Sequence, residues 1–309
     1  MSPNGKVAVF GPHPMLSITI EALTAEGGDD IHVHAAGQGV WVARMAAELG
    51  ASPVLCGFIG GETGTALRPL LEQLPVELRL AETAEASGCY LHDRRSGERK
   101  PIAQSAAMPP SRHEVDELFS SAVAAALDSA VLALCGPYPA EALPLEIYGN
   151  LVADVRANGT PVIVDLSPPR LDSALEGGPE LVKINDWELA RYVTGPVDTA
   201  ARMRAAACRL LDKGAGAAII TRAGEPALVV RGGDAWELVP PRFERGAREG
   251  CGDSMMGGLA ACMAQGLEWE EALRIGAAAG AANFLRHGLG SGSRSVVEDL
   301  ARRVELRPL

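Results

Sequence analysis

The sequence predicts an α/β domain built on a mainly parallel sheet, and three observations carry that prediction. Short, nearly continuous apolar runs rich in β-branched residues recur along the chain, the pattern of strands buried on both faces. Longer amphipathic stretches separate them, as crossovers between parallel strands require. The connections are short, so one domain over residues 1–309 is more natural than two. A composition of 47% hydrophobic and 22% charged residues is that of a folded globular chain and excludes disorder.

In chain order, residues 7–10 read as a first strand, ended by Gly11-Pro12. Residues 18–35 have no helical period; Ile31, Val33 and Ala35 alternate, so this stretch is strand-like and leaves the main rhythm. A helix is expected over 39–49, a strand over 53–58 and a helix over 65–73. Residues 87–103 read as a hairpin turning at Arg94-Arg95-Ser96-Gly97. The two off-rhythm segments, within 12–36 and 86–107, are expected to form a small β lid. Helices over 113–127, 145–158, 186–193 and 200–213 then alternate with strands over 131–135, 161–166, 181–184 and 217–221. Two small-residue helices, 253–265 and 269–287, close the chain, their Gly and Ala permitting close packing. There is no fixed-period repeat and no low-complexity linker.

Charge and cysteine usage narrow the function. With 28 Lys+Arg against 39 Asp+Glu, the net charge is −11, which argues against a reader of nucleic-acid backbones. A small anionic ligand stays compatible, because local charge governs a pocket. Six cysteines at 56, 89, 135, 208, 251 and 262, without a Cys-x-x-Cys pair, read as reduced thiols of a cytoplasmic protein. The N-terminal apolar run is too short for a signal peptide. The alanine-rich stretches 121–135 and 275–285 are too short for a membrane span or carry Asp128. Neither nucleic acid nor membrane is an expected partner.

Gly250-Cys251-Gly252-Asp253-Ser254, at the head of a helical run, is the most informative segment. Two glycines let the backbone turn tightly and approach a ligand, and amides at a helix N-terminus converge where the dipole favours an anion. Asp253 beside such a hole can accept a proton from an attacking hydroxyl. The local alternative is a turn at Gly252 with Asp253 or Ser254 capping the helix. In Lys183-Ile184-Asn185-Asp186-Trp187-Glu188 a strand runs into a helix, so Asn185 and Glu188 can face one point. That pair suits a hydrated Mg²⁺, which needs few protein ligands, or simply a capping box. Gly37-Gln38-Gly39 serves either a ligand site or a tight turn, and Gly57-Phe58-Ile59-Gly60-Gly61-Glu62 reads as a loop after a strand. Val42 stands at the third glycine position of a dinucleotide fingerprint, which argues against an oxidoreductase, and there is no Walker A sequence. His32 and His34 lack a third ligand at zinc spacing, His287 reads as a dipole partner at a helix end, and no Gly-x-Ser-x-Gly elbow occurs.

Taken together and in order, these segments resemble the PfkB/ribokinase family of carbohydrate kinases, closest in style to its 1-phosphofructokinase-like branch. Gly37-Gln38-Gly39 with Val42-Ala43-Arg44 and Leu49-Gly50 is similar to the first signature, and Gly57-Phe58-Ile59-Gly60 with Gly64 continues it. Cys135-Gly136-Pro137-Tyr138-Pro139 and Tyr148 resemble the central loop and its helix. Residues 161–167, Leu175, Lys183, Asn185 and Glu188 match the next stretch, Thr221-Arg222-Ala223-Gly224 a nucleotide-side loop, and Gly250–Ser254 the second signature. The resemblance covers nearly the whole chain.

It implies a ribokinase-like three-layer α/β/α sandwich with a small β lid, transferring the ATP γ-phosphate to a hydroxyl of a sugar, sugar phosphate or related small molecule. By the same resemblance, Asp253 is the general base and the amides of Gly250, Cys251 and Gly252 form the anion hole. Asn185 and Glu188 hold Mg²⁺ partly through water; Lys183, Thr221, Gly224 and Asn283 serve the nucleotide. Ser17, Gly37, Gln38, Gly39, Trp41 and Arg94 are the expected substrate residues, and a homodimer through the lid strands is the expected assembly. The sugar side departs from the family pattern. Gln38 stands for the usual Lys, Trp41 for an Asn and Ser17 for a sugar-binding Asp, and the Thr-Arg pair is missing around residues 86–89. Arg94, Arg95, Arg99 or Lys100 offers a substitute cation, unless that hairpin face is merely solvated. Glu249 adds a negative charge beside the anion hole. Two alternatives follow: a nucleoside kinase, with Trp41 stacking on the acceptor, or a catalytically weak nucleotide- or metabolite-binding homologue.

Overall fold

The computed structural model describes residues 5–23, 28–286 and 290–309. The chain opens with β1 (Lys6–Phe10), β2 (Met15–Ala22), β3 (Asp29–Ala36), α1 (Gln38–Glu48), β4 (Ser52–Gly60) and α2 (Gly61–Glu72). Next come β5 (Glu77–Thr83), β6 (Cys89–Asp93), β7 (Lys100–Ser105), α3 (Arg112–Leu127), β8 (Val131–Cys135), α4 (Glu146–Ala157), β9 (Val162–Asp165) and α5 (Arg170–Glu176). They are followed by β10 (Leu181–Asn185), α6 (Asp186–Tyr192), α7 (Ala200–Asp212), β11 (Ala217–Arg222), β12 (Glu225–Arg231) and β13 (Asp234–Val239). The helices α8 (Cys251–Ala264), α9 (Trp269–Phe284) and α10 (Arg294–Ala301) precede a last strand, β14 (Glu305–Pro308). His287, at the end of the last predicted helix, lies outside the described residues.

Ten strands form one sheet in the order β14-β13-β12-β11-β10-β9-β8-β1-β4-β5. It is parallel from β11 to β5 and antiparallel from β11 to β14. The alternation of side chains explains why its strands are apolar throughout. Val7 and Val9 enter one core with α1, α2, α8, α9 and α10; Ala8 and Phe10 enter the other, with α3 to α7. The result is three layers, as the sequence predicts. The second sheet, β3-β2-β6-β7, contains the two stretches that break the apolar rhythm.

Small residues let the first face close up. A Cβ on Gly257 of α8 would sit 2.5 Å from the Val42 carbonyl oxygen of α1, so these helices meet backbone to backbone. The elements that sequence reading left out are β5, β12, β13, β14, α5 and α10. β5 is an edge strand whose charged residues dilute the apolar signal. The β12–β13 hairpin did carry a signal, an apolar run ended by Gly232-Gly233.

Candidate active site

The chain builds outward from β1 to β4 and β5 on one side, then returns to the other side with β8 to β11. Ligand clefts in open α/β sheets form outside the carboxyl ends of the strands at such a reversal. The residues at or just past those ends are Gly11, Gly136, Asp165, Asn185 and Thr221. Gln38, second residue of the Gly37–Gly39 segment, starts α1 at the same place: its Oε1 accepts from the Gly136 amide at 3.0 Å.

Against this edge lies the N-terminus of α8. Gly250 is its N-cap, with φ 75° and ψ −2°, a left-handed conformation that glycine adopts without steric cost. The Cys251 amide donates to the Arg248 carbonyl at 3.3 Å and the Ser254 amide to the Gly250 carbonyl at 2.9 Å. This corrects the expected anion hole: the Cys251 amide closes the turn. Among the described residues the amides of Gly252 and Asp253 have no acceptor, and they are the donors left open. A Cβ on Gly252 would lie 3.0 Å from Lys183 Nζ, so only glycine leaves that space open. The Cys251 thiol, pushed up to about 11 by burial, is no thiolate nucleophile.

Four side chains meet beneath this turn. Lys183 on β10 and Asp165 at the end of β9 form a buried ion pair, Nζ to Oδ2, of 2.6 Å. Gln38 Nε2 donates toward the Asp165 carbonyl at 3.4 Å, and its amide is close enough to act on the Asp253 carboxyl. Burial first, then the neighbouring Asp165, raises the Asp253 carboxyl to about 7; Lys183 and the Gln38 amide pull the other way. Burial alone would depress the Lys183 ammonium, but Asp165, Asp253 and Glu188 outweigh it and leave it raised. Three carboxylates thus surround one ammonium, a local excess of negative charge that fits a divalent cation.

Asn185 and Glu188 form the capping box of α6. Asn185 Oδ1 accepts from the Glu188 amide at 2.8 Å, and Glu188 Oε2 from the Asn185 amide at 3.3 Å. One Glu188 oxygen stays outside the box, and burial together with Asp165 raises its carboxyl above the usual range. Among the described residues no three His, Cys, Asp or Glu form a metal cage, and a hydrated Mg²⁺ requires none. Thr221 pairs with Asn185 across β10 and β11. Gly224 follows it in the turn to β12, with open space around its Cα. Asn283, expected to serve the nucleotide, stands behind the turn. It is fully buried, and its Nδ2 donates to the Glu249 carbonyl at 2.8 Å, bracing the approach to Gly250.

The second sheet faces the cleft with Ser17, Tyr90 and His92. Ser17 pairs with Tyr90 and Thr19 with His92 across β2 and β6. The charge of Asp253 reaches Tyr90, and that of Glu249 reaches His92. Gly37 caps α1 with φ 110°, its would-be Cβ 2.9 Å from the His13 carbonyl, and Gly39 packs against Gly11. Three expected substrate residues are turned elsewhere. Gln38 is drawn down to Asp253 and Gly136. Trp41 packs on Met15, Ala36 and Tyr90. Arg94 lies along the sheet with its Nε 3.9 Å from Glu21. The residues that sequence reasoning gave no role are Asp165, Tyr90 and His92. Asp165 had a readable signal, a carboxylate ending a fully apolar strand; the other two had none.

The comparisons with known proteins agree with this geometry. Residues 16–295 match the model of the pfkB family carbohydrate kinases. The chain is 31% identical over 258 residues to the ATP-dependent 6-phosphofructokinase isozyme 2 of Escherichia coli K12, covering 82% of each. It is 29% identical over 274 residues to the 1-phosphofructokinase of Rhodobacter capsulatus, covering 85% of this chain and 84% of that one. The crystal structure of the Escherichia coli phosphofructokinase-2 in complex with potassium superposes with a TM-score of 0.83 at 26% identity, over 96% of this chain and 98% of that one. The chain belongs to the pfkB family of carbohydrate kinases, with a ribokinase-like fold. Kinases of this family are phosphotransferases that use ATP and act on sugar hydroxyls.

Proposed function

We propose that this chain is one kinase domain that transfers the ATP γ-phosphate to a hydroxyl of a sugar or sugar phosphate, with Asp253 as general base. The observation that carries the reading is the Asp253 carboxyl, raised to about 7 and set in the first turn of α8 beside open amides. At neutral pH it is poised to take the proton of an attacking hydroxyl. The Gly252 and Asp253 amides, with the α8 dipole, hold the migrating phosphoryl group, assisted by the amide of Gly250. Lys183, clamped by Asp165, keeps a positive charge under the turn. The excess of carboxylates near Glu188 supports a Mg²⁺ held by Glu188 and Asn185, partly through water. When bound, the ion screens the charge of the phosphates. Thr221 and Gly224 then border the nucleotide.

The strands β2, β3, β6 and β7 serve as the lid in this reading. Their outer face supports a homodimer. Ile18, Ile20, Ile31, Val33 and Leu91 are cross-strand neighbours, and Ile31 and Val33 are 61% and 45% exposed. Six free cysteines support a cytoplasmic setting, and among the described residues no helix is long and apolar enough to cross a membrane.

The test is Mg-ATP consumption against free sugars, sugar phosphates and nucleosides, wild type beside Asp253→Asn. Acceptor-stimulated turnover should fall by about 10²- to 10⁴-fold in the variant. Turnover that survives the substitution removes Asp253 as the base.

A further inference from the structure

We propose that Arg99 is the residue that reads a phosphate group on the acceptor, a specificity role that rests on the kinase reading above. The β6–β7 pair carries a register shift. Cys89, Tyr90 and Leu91 of β6 pair with Ser105, Gln104 and Ala103 of β7, but His92 pairs with Pro101, so Ile102 is the extra residue of a bulge. Without it, Ile102 and Lys100 would share the cleft-facing side of Tyr90 and His92. A one-residue slip exchanges the faces of everything beyond it. Ile102 therefore turns outward, where it is 51% exposed, and Arg99 turns inward over the Tyr90 ring, 5.1 Å from its centroid.

Arg99 is set apart by its partners. Arg94 lies against Glu21, Arg95 against Asp93 and Asp29, and Lys100 against Glu98. Among the described residues Arg99 has no carboxylate partner; its Nη2 lies 3.4 Å from His92 Nδ1. Burial, and then Arg99 itself, lowers the His92 imidazole, so the ring accepts from the guanidinium and leaves its charge uncompensated. Beneath Arg99 the Tyr90 hydroxyl is buried, with no partner at hydrogen-bond geometry and with Ser17 and Arg99 as its polar neighbours. A buried hydroxyl without a partner is rare and points to a group that completes it. The guanidinium fork and this hydroxyl, with Ser17 below, offer donors to one phosphate over the cleft. No cation comes from Gln38, which is neutral and engaged with Asp253 and Gly136. Glu249 also acts on His92 and repels anions from this region, so a phosphate can stay there only against a cation such as Arg99.

The test is calorimetric titration of the nucleotide-free protein with a hexose monophosphate, the matching free hexose and inorganic phosphate. It compares wild type with Arg99→Ala, Arg99→Lys and Tyr90→Phe. Arg99→Ala should weaken hexose monophosphate by about ten- to a hundredfold, more than it weakens the free hexose, and lower phosphate affinity in parallel. Arg99→Lys should fall between, keeping the charge without the fork. Equal weakening of both sugars would mean that the lid has merely shifted, and overturns the assignment. Undiminished hexose monophosphate binding in Arg99→Ala, or none in the wild type, overturns it as well. Absence of ATP turnover with every acceptor would sink the kinase reading instead, and the titrations read Arg99 independently of it.

Discussion

The Asp253 carboxyl binds its proton far more tightly in the folded chain than in the unfolded one, where its value is the ordinary 3.8. Two consequences follow. If Asp253 must be ionised to act, kcat/KM should rise with pH, pass half-maximum near 7 and level off above it, as a rate profile would record. Stability moves oppositely: between 3.8 and about 7 the folded state holds a proton that the unfolded state has lost, so stability falls across that window. Asp253→Asn should abolish that fall in denaturation curves. Asp165→Asn removes the negative charge that helps push Asp253 up, so the rising limb should move to lower pH. The same change leaves Lys183 buried without its partner and should cost about 3–5 kcal/mol in urea unfolding. Of these residues, Asp253 and the Asn185/Glu188 pair were visible in the sequence because glycine turns and capping spacing are local. Asp165 and Tyr90 were assigned no role, and Arg99 was only one of four lid cations, since their meaning depends on which strands lie side by side and on a single bulge. Gln38 reads as a lost cation in the sequence, whereas in the fold it is engaged with the Gly136 amide and the Asp165 carbonyl.

At the scale of elements, α8 carries the proposed base, Asp253, and packs against α1. The Gly257 contact with the Val42 carbonyl leaves no room for a side chain. Gly257→Val should therefore push α8 outward, lowering stability by about 1–3 kcal/mol, the usual cost of overpacking, and reducing kcat through the displaced Gly252 turn. A variant that keeps full turnover and melting temperature would show that α8 is not seated by this contact. The helices and parallel strands were legible because each repeats one simple pattern over many residues. The edge strands β5 and β14 and the short helices α5 and α10 were not, because edge strands mix polar and apolar residues and short helices offer one or two turns of signal; the β12–β13 hairpin carried a signal that went unread.

For the whole molecule, the outer apolar face of the second sheet predicts association. Val33→Asp together with Ile18→Asp should shift sedimentation from dimer to monomer, and a wild type that sediments as a monomer at assay concentration would rule the interface out. The layering was readable, three layers and a separate small sheet, since burial on two faces dictates strand composition, although four strands of the main sheet went unread. The strand order has a further consequence, for how the protein is made. Gln38 and the α1 surface around Val42 and Met45 leave the ribosome early, while α8, which covers that surface, begins only at Cys251. At ordinary translation speeds that interval is roughly 10–40 s. For that time the nascent chain presents an uncovered apolar helix beside a sheet still lacking half its strands. The proposed site is thus completed only late in synthesis, when α8 has been made and can cover α1.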